Sequence, residues 1–177
     1  MFDGSETSLG GNGEYVAGHR AAVGGAKPGT GGGCLKKGTP FANFTVNLGP
    51  VGSANPLKYN PRCIKRDLNA DICVKWASLR NTTDPILSST NVEIFQAVVQ
   101  GDGRVPEAMN VGIGVHGGGH FAISGDPGSD FYFSALEPGF YLHHGNIDRM
   151  HFIWQNLDWD NRQVSIYNYD DPRDHTD

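Results

Sequence analysis

Between Pro138 and Asn156 the apolar residues Phe140, Ile147, Met150 and Trp154 recur at intervals that suit one side of a helix. The spacing predicts the longest helix of the chain. Its start has two readings: Glu137 stands before a proline at the first helical position, or Ser134 and Glu137 form a capping box. A second helix is predicted over about 91–100, where Thr90-Asn91-Val92-Glu93 has capping-box form and Val92, Phe95 and Val99 fall on one face. A third, loosely periodic through Ile72, Val74 and Trp76, runs from about Asn69 as its N-cap to Leu79. Asp84-Pro85 reads as a turn, and Gly101-Asp102-Gly103 as the end of the second helix.

The first 60 residues behave differently. Gly24-Gly25, Gly31-Gly32-Gly33, Pro28, Pro40, Pro50 and Pro56 punctuate them, and no period is sustained. Phe44-Thr45-Val46-Asn47-Leu48 alternates and predicts one strand. A loop region of this length is ordered only by lying over something else. With 177 residues, 38% of them hydrophobic, the chain is sized for a single domain spanning 1–177.

Charge and targeting signals narrow the function classes. Acidic residues outnumber basic ones 19 to 14 and the basic ones are scattered, which argues against nucleic acid or an anionic membrane as partner. No apolar run approaches the roughly 18 residues of a membrane span. Residues 1–13 show no signal-peptide pattern. Asn43-Phe44-Thr45 and Asn81-Thr82-Thr83 satisfy the N-glycosylation pattern and point instead to a secretory route. Cys34, Cys63 and Cys73 are odd in number: one disulfide with one thiol left over, or three buried small side chains.

Four of the seven histidines, His116, His120, His143 and His144, crowd into 29 residues. On a helix, His116 and His120 lie one turn apart on one face and can present two imidazoles to one metal ion. The His143-His144 pair is the natural source of a third, since adjacent helical side chains diverge and only one need face the metal. Three imidazoles suit copper, zinc, iron or nickel alike. Each pair taken singly is weak evidence, and Gly117-Gly118-Gly119 between the first two histidines costs roughly 1 kcal/mol per glycine relative to alanine in a helix. Packing or metal must supply that stability, and the missing side chains leave room for a substrate or second metal near the backbone.

His116-Gly117-Gly118-Gly119-His120, then Pro138-Gly139-Phe140-Tyr141-Leu142-His143-His144-Gly145-Asn146-Ile147-Asp148-Arg149, then Trp154-Gln155 together resemble the second copper-binding region of tyrosinases, catechol oxidases and haemocyanins. The wording HGGGHF is most similar to the ascomycete short tyrosinases and catechol oxidases. The resemblance implies a mainly α fold, half of a type-3 copper four-helix bundle with long Gly/Pro-rich loops, its copper-site motif within 111–160. It implies that His116, His120 and His144 ligate one copper, that His143 supports them from behind, and that Phe140 packs over the copper. Asp148 and Arg149 match the family's structural pair, with Asp148 orienting a ligand imidazole or nearby backbone. By the same resemblance the activity is oxidation of ortho-diphenols, or of monophenols, to ortho-quinones with O2.

Two departures qualify this. Glu137 stands where the family has Asp, a poorer N-cap, so a less stable start to the ligand helix is expected. Gly117 follows the first ligand where monophenol-hydroxylating members often carry Asn, which leans the reading toward diphenols. Glu107 reads better as a solvated loop residue than as a catalytic acid, and His151 better as a packed histidine than as a further ligand. The family's first-copper pattern is not found around His19, His151 or His175, so the sequence reads as the second-copper half of a longer ancestor, marginally stable alone and open to association with a chain supplying the other half. The alternatives are a non-catalytic chain holding one copper, an oxygen carrier, or a zinc hydrolase on the same three histidines, which lacks a general base near His116 and His120.

Overall fold

The computed structural model describes residues 8–163. His175 lies outside them. The described part is mainly helical: α1 (Ala70–Trp76), α2 (Leu79–Ser88), α3 (Val92–Gln100), α4 (Gly114–Ile123), α5 (Pro138–Asn156) and α6 (Trp159–Arg162). Helix α4 packs against α1, α3 and α5, and α2 packs against α3 and α5. At their centre Ala77, Phe95, Val99, Val115, Met150 and Trp154 form one buried cluster. Complete burial of a side chain such as Phe95 is worth roughly 1.5–3 kcal/mol. Trp154, fully buried, also donates its indole N–H to the Ser89 carbonyl at 2.9 Å, so the ring's one polar atom is satisfied.

Local chemistry explains where these helices begin. The Asn69 side chain accepts from the Ile72 N–H at 3.0 Å and starts α1. Asn91, rather than Thr90, caps α3, accepting from the Ile94 N–H at 2.9 Å. Helix α5 begins by the first of its two readings: Glu137 is the N-cap and Pro138 the first helical residue. The expected turn at Asp84-Pro85 is absent, because α2 runs through it. Ser78 and Asn81 form a capping box that nucleates α2, and Ile86 packs on the core one residue beyond the proline. Those two anchors outweigh the single backbone hydrogen bond that Pro85 removes.

The loop half is ordered by buried polar side chains and two short ribbons. Strand β1 (Gly13–Tyr15) pairs antiparallel with β2 (Gly32–Leu35), and β3 (Thr45–Val46) with β4 (Arg62–Cys63). The strand expected over 44–48 is therefore two residues long, and β1, β2 and β4 were not foreseen. A disulfide joins Cys34 to Cys63 across 29 residues, while Cys73 is buried beside Ile72 and Ala122. Closing a loop of that length stabilises a fold by about 3.6 kcal/mol in the chain-entropy account. Asn12, 1% exposed, accepts from the N–H groups of Gly13 and Leu68 at 2.8 and 2.9 Å. Asp67 accepts from Gly29 and Gly31 at 3.1 and 2.9 Å and faces His19 Nε2 at 3.0 Å.

The deepest link between the halves is Arg66 with Glu137, neither of them exposed at all. The guanidinium meets the carboxylate through Nε at 3.1 Å and through Nη2, and Nη1 donates to the carbonyls of Leu9 and Gly11 at 2.6 and 2.8 Å. Glu137 in turn accepts from the Gly139 N–H at 2.9 Å. Glu137, expected as the poorer cap, thus caps α5 and takes on a second partner as well. A longer carboxylate reaches a buried arginine 71 residues away while still capping the helix.

Candidate metal centre

His116 and His120 stand one turn apart on α4, and His143 and His144 lie on the second turn of α5. The glycine run that makes α4 costly as an isolated helix has two tenants of its own. A Cβ at Gly118 would lie 2.7 Å from the Trp76 Cβ, and one at Gly119 would lie 2.1 Å from His143 Cε1. These two glycines make room for protein, α1 and α5 respectively, rather than for substrate or a second metal. Gly117 is the open one: its Cβ would meet nothing nearer than Ile113, at 3.4 Å.

The crossing of α4 with α5 brings four imidazoles together, with one ring nitrogen from each within 4.8 Å of the others. Three of them converge through Nε2: His120 to His144 is 3.0 Å, His116 to His120 is 3.2 Å, and His116 to His144 is 3.4 Å. A tetrahedral ion with bonds of about 2.0 Å spaces its nitrogen ligands about 3.3 Å apart, so the triangle has the edges such an ion requires. The outer nitrogens are engaged. His116 Nδ1 lies 2.7 Å from Gln100 Oε1, and His120 Nδ1 lies 3.3 Å from the Gly128 carbonyl. Rings that donate from Nδ1 turn bare lone pairs on Nε2 toward one another, a repulsive arrangement that a cation resolves. The donor set therefore fits a resident metal.

His143 stands apart from the triangle. It is 9% exposed, its Nε2–H donates to the His116 carbonyl at 2.8 Å, and its ring stacks on that of His116. It braces α4 at the first histidine. Phe140 stacks on His144 with ring centroids 3.9 Å apart and planes 23° from parallel, covering one face of that imidazole. Asp148 and Arg149 are exposed, and the hydrogen bonds to the converging imidazoles come from Gln100 and Gly128 instead of Asp148. Asp148 acts electrostatically on His151, whose ring lies against Phe95 and Trp154. Glu107 is exposed on a short 3-10 turn. A cleft of about 1050 Å³ opens beside His116 and His144, walled by Phe95, Val99, Ile147 and Asp148.

Burial keeps this cluster neutral. It pushes His116 down to about 4, helped by the charges of His120 and His144, and His143 down to about 3, helped chiefly by His120. His120 and His144 are also lowered, first by burial. Neutral imidazole is the form that binds metal. In the metal-free protein the unfolded chain takes up protons below about 6.5 while the folded cluster resists them. The stability these residues contribute is complete above about pH 6.5 and falls as pH drops toward about 4. Urea melts at about pH 8 and about pH 5 will show the loss, and His143→Gln will reduce the difference.

The comparisons agree on one family. A family profile described as the common central domain of tyrosinase matches residues 1–157. Tyrosinase P of Aspergillus terreus is 34% identical over 175 residues, covering 89% of this chain and 47% of that protein. The N-acetyl-6-hydroxytryptophan oxidase ivoB of Emericella nidulans is 33% identical over 138 residues, covering 72% of this chain and 36% of that protein. The chain spans about half the length of Tyrosinase P, and less of ivoB. A solved polyphenol oxidase variant from Thermothelomyces thermophila superposes with a TM-score of 0.72 at 39% identity, covering 89% of this chain and 43% of that one.

Proposed function

Because the chain belongs to the tyrosinase family of copper-dependent oxidoreductases, we propose that His116, His120 and His144 hold one copper ion through Nε2 and serve the oxidation of ortho-diphenols to ortho-quinones. The observation that carries this reading is the triangle of converging Nε2 atoms, 3.0 to 3.4 Å on each edge. Paired with a second copper from a partner polypeptide, this ion would supply the electron transfer from the diphenol to O2, two diphenols and one O2 giving two quinones and two waters. The side chains do the rest. His143 holds α4 at His116, Phe140 fixes the His144 ring, and the cleft beside His116 and His144 admits a flat aromatic substrate. Gly117 offers no side chain to take a proton from a monophenol, which favours substrates that already carry both hydroxyls.

Oxygen uptake by the copper-loaded protein mixed with a polypeptide that carries the other copper site, with catechol as substrate, tests this. One O2 consumed per two catechols, with both uptake and copper binding lost in His144→Ala, is the expected result. Copper held without any uptake supports a second reading, a chain that binds one copper and does not turn over. That reading is favoured by the fact that, among the described residues, one group of side chains can hold a metal. A secretory route is part of the proposal as well: Asn43 is exposed, and the Cys34–Cys63 disulfide suits an oxidising compartment. No helix among the described residues is long and apolar enough to cross a membrane. The phenol and O2 are the proposed small-molecule partners, together with a polypeptide supplying a second copper.

A further inference from the structure

We propose that Gln100 is a positioning residue of the metal centre, its side-chain carbonyl holding His116 in the tautomer that carries hydrogen on Nδ1 and leaves the Nε2 lone pair free. The inference rests on the reading of His116 as a ligand. A neutral imidazole has one N–H, and whichever nitrogen holds it cannot bind metal. Gln100 Oε1 is 2.7 Å from His116 Nδ1, a distance at which an acceptor oxygen demands a donor opposite it. With hydrogen on Nε2 instead, the Gln100 amide would have to turn over to present its NH2 to Nδ1, and an N–H would fill the space between His120 and His144.

The fold holds Gln100 in place for this task. It is the last residue of α3, and Gly101, at φ 73°, caps that helix. A Cβ at Gly101 would lie 2.1 Å from the Gly112 carbonyl oxygen, and one at Gly114 would lie 2.3 Å from the Val99 carbonyl oxygen and 2.6 Å from the Gln100 carbonyl carbon. The end of α3 and the start of α4 thus touch backbone to backbone, which only glycine on both sides permits. That contact fixes the two backbones from which Gln100 and His116 project. His120 is served in the same way by a backbone carbonyl, that of Gly128. Outer partners of this kind fix ring orientation and raise ligand basicity, and their removal weakens metal binding by about 10–100-fold.

Two measurements on the chain and its Gln100→Leu and Gln100→Glu variants test the role. Copper affinity by chelator competition is expected to fall about 10–100-fold in Gln100→Leu and to be at least as tight as in the unaltered chain in Gln100→Glu, which keeps an acceptor. Thermal melts of the metal-free variants match the unaltered protein, because the side chain is exposed, so a general loss of folding would not mimic the effect. Nitrogen-15 NMR of the metal-free protein reads the tautomer directly: hydrogen on His116 Nδ1 in the unaltered chain, and a shift toward Nε2 in Gln100→Leu. Unchanged copper affinity in Gln100→Leu, or hydrogen on Nε2 in the unaltered chain, overturns the proposal. If the unaltered protein takes up no copper, the ligand assignment itself fails, and the NMR result still decides for or against Gln100.

Discussion

Replacing Gly119 by alanine is expected to weaken copper binding by at least about 100-fold, although alanine is the better helix former by about 1 kcal/mol. The added methyl would sit 2.1, 2.4 and 2.6 Å from Cε1, Nδ1 and Nε2 of His143. That ring has nowhere to go. It is buried, hydrogen-bonded to the His116 carbonyl at 2.8 Å and stacked on the His116 imidazole. Either α5 moves away from α4, carrying His144 out of the triangle, or His143 is expelled and α4 loses its brace at His116. Overpacking of this kind costs about 1–3 kcal/mol, which exceeds the gain in propensity, so the melting temperature falls together with the affinity. Gly117→Ala is the control, since its methyl meets only Ile113 in ordinary contact at 3.4 Å. That variant should be as stable as the unaltered chain or more so, and should bind copper normally. Competition titrations and thermal melts on the two variants give both numbers. Equal behaviour of the two would remove the steric account of the glycine run.

Arg66→Met is expected to cost about 3–5 kcal/mol of folding free energy, because it strands the fully buried Glu137 carboxylate. The same change frees the Leu9 and Gly11 carbonyls from their donor. Arg66→Lys should recover little. An ammonium cannot span both carboxylate oxygens and two carbonyls at once, as the guanidinium does. Glu137→Gln keeps the shape and part of the cap but leaves Arg66 with an unmatched charge, so a loss of similar size is expected. The damage reaches the metal centre, since Phe140 and His144 stand within the first two turns of the helix that this pair anchors. Chemical denaturation measures the stability, and a loss below about 1 kcal/mol in Arg66→Met would mean that the pair does not anchor α5.

These two sites mark the boundary of what the sequence discloses. Helix α5 was legible because every local signal agrees there: proline at its first position, a carboxylate before it, and apolar residues at helical intervals. The four clustered histidines were legible because two pairs at short spacing need only two crossing helices to meet. The second role of Glu137 is not legible because its partner, Arg66, is 71 residues distant and carries no local mark. The same holds for Asn12 and Asp67, which organise the glycine-rich loops through contacts 36 to 56 residues away. Strands β1 and β2 are three and four residues long and include glycine, too short and too poor in β-branched side chains to show a period of two. Helix α2 was hidden by a proline whose cost is offset by packing. Gln100 looks like one more polar residue on the solvent side of α3 until α4 is placed against it. The comparisons supply the family and with it the choice of copper, which three imidazoles alone leave open among several metals.

On the proposed reading, the fold of this chain builds a three-imidazole copper site without further ligands. Copper content per folded chain, measured by metal analysis after loading and removal of excess ion, tests it most directly. One copper per chain is expected in the unaltered protein, with none retained by His144→Ala. Copper in the unaltered protein no higher than in that variant would contradict it.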